Sequence, residues 1–136
     1  MKTNIFVNLG TKDLEKAKSF FTGLGFTINP QFTDKGAACI VISENIFAMI
    51  LTEEFFEKFT KKGIINAHKS TECTIGLSAE SKEKVDDFVN KAISMGATEN
   101  IVPEMQQENS MYGRSINDLD GHIWEIFWMG PRMIKK

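Results

Sequence analysis

The chain has 136 residues, 42% of them hydrophobic and 25% charged, so it can bury a core without disulfides or a structural metal. Its 16 basic and 18 acidic residues leave a formal charge of −2, which argues against nucleic acid as a main partner, because phosphate neutralisation needs a basic excess. No apolar run reaches the ~18 residues of a membrane span, no signal-type h-region follows Met1, and Cys39 and Cys73 form no CxxC pair, so a cytoplasmic protein away from membranes is expected.

Ile5, Val7 and Leu9 alternate with Asn4, Phe6 and Asn8, the period-two pattern of a strand with two distinct faces. Thr11-Lys12-Asp13 opens a helix, with Asp13 and Glu15 placing negative charge where the helix dipole favours it. Leu14, Ala17, Phe20, Phe21 and Leu24 form its apolar stripe, and Gly25 stands where a C-terminal glycine belongs. Strands are expected over Phe26–Phe32, Ala37–Ile42 and Ile46–Leu51, separated by Asp34-Lys35-Gly36 and Ser43-Glu44-Asn45. Residues 4–51 therefore read β-α-β-β-β. The stretch 52–71 breaks the pattern and is taken as a linker, with two helical turns over Glu53–Phe59 and an exposed loop over Gly63–Ser70.

The order then repeats over residues 72–129. Cys73–Ala79 is a strand, Ser81 is the N-cap of a helix, and Val85, Phe88, Val89, Ala92 and Ile93 make its stripe. Ser94-Met95-Gly96 ends that helix. Strands are expected over Thr98–Val102, Met111–Asn117 and His122–Trp128, with a polar loop over Pro103–Asn109 and a tight turn at Asp118-Leu119-Asp120-Gly121. Both cysteines fall in apolar strand-like runs and read as buried, inert thiols. The Lys61-Lys62 and Lys135-Lys136 pairs read as solvated surface. Eleven Phe against one Tyr suggest dry aromatic packing or an apolar pocket wall.

The segment Asp118-Leu119-Asp120-Gly121-His122-Ile123-Trp124-Glu125 resembles the D-P-D-G-x-x-x-E hairpin near the C-terminus of glyoxalase/bleomycin resistance/extradiol dioxygenase (vicinal oxygen chelate) proteins, which include lactoylglutathione lyase. The opening Phe6-Val7-Asn8-Leu9, Lys12-Asp13-Leu14-Glu15-Lys16-Ala17 and Leu24-Gly25-Phe26 resemble that family's first module. With the doubled element order, the likeness spans nearly the whole chain. It implies an α+β fold of one glyoxalase-like domain, in which two βαβββ modules form curved mixed sheets enclosing a cleft. It also implies a homodimer. Many members hold a divalent metal with one ligand from the first and last strand of each module. Matched position by position, those ligands fall on Phe6, on a residue within Ala48–Ile50, on Thr74 and on Glu125. Glu125 alone matches, and one carboxylate is a poor site for metals that want three or four donors. No metal cofactor is therefore expected. His122 and Glu125, three apart on a strand, point to opposite faces.

Glu125 is the candidate catalytic residue, as a general base or as the holder of a ligand cation. Phe6, Asn8 and Thr74 are candidate ligand-binding residues, being aromatic or small and polar on the inner strands. Tyr112 and Arg114 join them on the penultimate strand, where Arg114 either meets an anionic ligand or pairs with a neighbouring carboxylate. Gly113 is a candidate bulge. Trp124 and Trp128 read as core or dimer contact. Three functions follow: a metal-free binder of a small organic molecule like the bleomycin-resistance branch, a glyoxalase-like lyase or isomerase with non-standard metal ligands, and a structural module without a ligand.

Overall fold

The computed structural model describes residues 2–101 and 111–130. The loop expected over Pro103–Asn109, the strand end expected at Val102 and the Lys135-Lys136 pair lie outside the described residues. The chain divides into two compact units, Met1–Ile65 and Asn66–Lys136. Each carries an open four-stranded mixed sheet, giving the α+β architecture of two βαβββ modules. No helix among the described residues is long and apolar enough to cross a membrane.

The first unit runs β1 (Ile5–Thr11), α1 (Leu14–Gly23), β2 (Thr27–Asn29), β3 (Ala37–Ser43) and β4 (Ile46–Thr52). Its sheet order is β1-β4-β3-β2, with β1 parallel to β4 and the other pairs antiparallel. A parallel pair needs a long crossover, here α1 with β2 and β3. The Asp13 side chain caps α1 by accepting from the Lys16 amide at 3.1 Å. Leu14, Ala17, Phe20 and Phe21 are its buried stripe. They pack on the sheet side that holds the buried Leu9, Ile40, Ala48 and Ile50.

Two local features differ from the sequence expectation. The strand expected to reach Phe32 stops at Asn29, where a 3-10 turn, Pro30–Phe32, begins. Proline has no amide for the ladder, and the Asn29 side chain caps the turn by accepting from the Gln31 amide at 2.9 Å. The Thr33 hydroxyl then stands in for a strand partner by accepting from the Cys39 amide at 3.0 Å. The second difference is that residues 52–59 belong to the first unit rather than to a free connector. Thr52 ends β4 and caps α2 (Glu53–Phe56), which a 3-10 turn, Glu57–Phe59, extends. The Phe56 ring lies against Gly10, so that a Cβ there would stand 3.2 Å from it.

The second unit runs β5 (Thr74–Ser78), α3 (Lys82–Ser94), β6 (Thr98–Glu99), β7 (Met111–Asn117) and β8 (Ile123–Met129). Its order, β5-β8-β7-β6, repeats the first, with β5 parallel to β8. The Ser81 hydroxyl caps α3 by accepting from the Lys84 amide at 3.1 Å. Val85, Val89 and Ala92 are its buried residues. Ile93, expected in this stripe, is 38% exposed. At 100° per residue it lies roughly 80° around the helix from Val85 and falls at the edge of the packed face.

The cysteines differ from each other. Cys39 is buried, and burial pushes its thiol pKa up. Cys73, expected to be buried, is exposed, because β5 begins one residue later and Cys73 has no place in the ladder. The pairing of β7 with β8 runs without a break past Gly113, so no bulge forms there. The irregularity among the described strands lies between Val41 and Ser43.

Candidate functional site

In the first unit α1 covers one sheet face and in the second α3 does; the opposite faces are free of these two helices, the short α2 reaching the first of them at Gly10 through Phe56. On the helix-free face of the first unit, Phe6 and Asn8 stand beside their register partners Phe47 and Met49. Strand alternation puts them there, because Val7 and Leu9 face α1. The Phe6 and Phe47 rings stack at 4.8 Å with 13° between their planes, and Phe6 stays 44% exposed. Ala48 and Ile50 are buried on the other side, so the expected ligand position within Ala48–Ile50 resolves to Met49.

On the helix-free face of the second unit, Thr74 and Glu125 meet. The Thr74 hydroxyl donates to Glu125 Oε1 at 2.6 Å. Glu125 is half-buried, with Gly76 and Ser115 as its neighbours on β5 and β7. Its direction is set by Trp124, the residue before it. Trp124 is 1% exposed on the helix side, and its indole Nε1 donates to Asp118 Oδ2 at 2.9 Å. Asp118 Oδ1 accepts from the amides of Asp120 at 2.9 Å and His122 at 3.0 Å. The hairpin motif therefore acts as a buried anchor that pins Trp124 to one face and turns Glu125 to the other. Burial pushes the Asp118 carboxyl pKa up, against the pull of its neighbours His122 and Trp124 and of the amides.

Tyr112 and Arg114 are not brought together with Glu125. They share the other face of the sheet, against α3. Tyr112 Oη donates to Asp86 Oδ1 at 2.7 Å. Arg114 grips Glu99 with two parallel bonds, Nε to Oε2 at 2.9 Å and Nη2 to Oε1 at 2.8 Å. Its Nη1 donates to Asp86 at 3.0 Å and to Asn90 at 3.1 Å. The hydrogen bond from Arg114 holds Glu99 below its ordinary range, and that to Asp86 pushes Tyr112 up. Arg114 is thus a clamp joining α3, β6 and β7, with the fork committed to carboxylates. Replacing it by Lys, which lacks the planar fork, is expected to cost about 2 kcal/mol of stability in urea unfolding. With Glu99 lowered, this contribution is present above the ordinary carboxylate range and is lost as pH falls through the lowered value. An Arg114→Lys protein as stable as the wild type at pH 7 would remove the clamp reading.

Sequence reasoning did not find the part played by Asp118, or by Gly76, which the edge of Phe127 approaches closely. A Cβ at Gly76 would stand 3.1 Å from Phe127 Cε1. A glycine inside a strand is the available signal for such a close approach.

The donor set does not fit a divalent metal. Glu125 is the one carboxylate at the four strand positions, where Phe6 and Met49 offer no nitrogen or oxygen and Thr74 offers a neutral hydroxyl. Among the described residues no group of three or more His, Cys, Asp or Glu side chains could hold a metal ion.

Residues 3–43 match the family described as bleomycin resistance protein-like N-terminal. No curated protein matches the chain in sequence. Among solved structures it is similar to hypothetical protein SA1046 from S. aureus, at 27% identity and a TM-score of 0.77, over 94% of both chains. It is also similar to a glyoxalase/bleomycin resistance protein from Albidiferax ferrireducens T118, at 25% identity and a TM-score of 0.63, over 90% of this chain and 95% of that one. A glyoxalase/bleomycin resistance protein/dioxygenase family enzyme from Burkholderia phytofirmans PsJN shares the fold, with a TM-score of 0.74 at 18% identity, over 91% and 96% of the two chains. The doubled βαβββ order, the sequence match over residues 3–43 and these structural likenesses make the chain similar to proteins of the glyoxalase/bleomycin resistance/dioxygenase (vicinal oxygen chelate) superfamily.

Proposed function

We propose that the chain binds a small organic molecule against its helix-free sheet faces, without the divalent metal that many superfamily members use. The observation that carries this reading is what stands at the superfamily's ligand positions. An exposed Phe6 ring stacked on Phe47 occupies one module, and a single Thr74-bonded carboxylate occupies the other. Exposed aromatic area with few placed polar groups suits an organic ligand, and one acid does not suit a metal. The protein acts in this reading as a cytoplasmic homodimer, as the superfamily likeness suggests.

The test is elemental analysis of protein purified without chelator or His-tag, next to Glu125→Ala. Metal well below one equivalent per chain is expected in both. About one equivalent in the wild type, lost in the variant, would overturn the metal-free reading and favour a lactoylglutathione lyase-like lyase with unexpected ligands.

A further inference from the structure

We infer that the ligand taken by the second unit is an organic cation, an alkylammonium group held between the Glu125 carboxylate and the Phe127 ring, and that Gly76 is the residue that makes room for this pair. The inference rests on the metal-free binding reading and names the chemistry of its ligand.

Among the described residues Glu125 accepts one hydrogen bond, from a neutral hydroxyl. Among the described residues no Lys, Arg or His pairs with it, whereas the opposite face of the same sheet commits Arg114 to both Glu99 and Asp86. A half-buried carboxylate without a cationic partner is a site that a positive ligand can complete. Phe127, two residues on, projects from the same face of β8. Its ring leans across to β5, where Cε1 would stand 3.1 Å from a Cβ at Gly76. Gly76 is itself the register partner of Glu125. The ring is therefore held low over the sheet beside the acid instead of standing upright in front of it. An aromatic ring next to a carboxylate attracts an ammonium through the ring quadrupole and the charge together. A divalent metal is disfavoured, because it would shed hydration water for one carboxylate and a ring that offers no lone pair. Alanine at position 76 would have to lift the Phe127 ring by a few tenths of an ångström.

The experiment uses the full chain, stripped of metal by chelator. It is titrated with benzyltrimethylammonium and with its neutral isostere neopentylbenzene, following backbone amide shifts and heat. The cation is expected to shift the amides of Thr74, Gly76, Glu125 and Phe127 saturably and to bind about tenfold more tightly than the isostere, which is roughly 1.4 kcal/mol. Glu125→Gln should abolish that preference, and Gly76→Ala should weaken the cation several-fold while leaving the isostere nearly unchanged. Thr74→Val, which keeps the strand, should reduce the preference in part. Equal affinity for the two probes, or a preference that survives Glu125→Gln, overturns the cation assignment while metal-free binding stands. Absence of any saturable shift with benzyltrimethylammonium overturns it too, and metal-free binding falls with it only if the neutral isostere also fails to shift the amides of either sheet.

Discussion

Gly121→Ala is expected to lower the unfolding free energy by about 3 kcal/mol or more. Gly121 has φ +90°, and an added Cβ would stand 2.6 Å from the His68 nitrogen and 2.8 Å from the Ala67 carbonyl carbon. Both are backbone atoms that no rotamer change can move. The molecule supplies its own controls. Gly25, with φ +105°, has nothing within 4 Å, so Gly25→Ala should show only the conformational penalty, about 1 kcal/mol. Gly96, with φ +108°, meets the Leu119 Cδ2 at 3.0 Å, the end of a side chain that can turn away, and should fall between them. Urea midpoints of the three variants check the order. A Gly121→Ala protein no less stable than Gly25→Ala would mean that the segment at 67–68 does not lie against the hairpin.

Asp118→Ala should cost about 3 kcal/mol, because it strips one buried indole donor and two amides of their acceptor at once. Asparagine restores an oxygen for the amides but turns an NH2 towards the Trp124 indole, donor against donor, and should recover only part of the loss. The pH dependence has a definite sign. Burial raises the Asp118 pKa, so the folded chain holds a proton where the unfolded chain has already released it. Stability from this group is then greatest below its ordinary range and declines as pH rises through the raised value. The gap between wild type and Asp118→Asn should narrow from mildly acid to neutral pH. A gap that widens over that range would show the carboxylate to be favoured, not penalised, by its site.

The period-two and helical stripes of both modules were legible because burial repeats with the geometry of the element. Asp13 and Ser81 cap their helices where the sequence put them, and Gly25 and Gly96 take the positive φ expected after a helix. Phe26–Phe32 was overextended because apolar content outweighed one proline that removes a ladder donor. Alternation alone paired Phe6 with Asn8 and Glu125 with Phe127 on single strand faces, but that Thr74 meets Glu125 and that these faces turn from α1 and α3 came only with the strand register. The partners of Tyr112 and Arg114 did not, since Asp86, Asn90 and Glu99 come from other elements and only the fold brings them to one place. Asp118 looked like turn chemistry because its partner Trp124 lies beyond the turn, inside the next strand.

The parallel pairs also govern how the chain can reach this structure. Ile5 pairs with Ile46, and Thr74 with Ile123, so the first strand of each unit finds its neighbour only after the rest of that unit has been made. Such non-local closure slows folding, because a long loop must be ordered before any contact rewards it. The last strand is also the hub, since β8 hydrogen-bonds to both β5 and β7. A chain halted before Ile123 would hold three strands of the second sheet and lack the one that joins β5 to the others. It would carry an exposed apolar edge until that strand arrived. The first unit ends its own hub strand at Thr52, before the second unit begins at Asn66, and can close while the rest is still being synthesised.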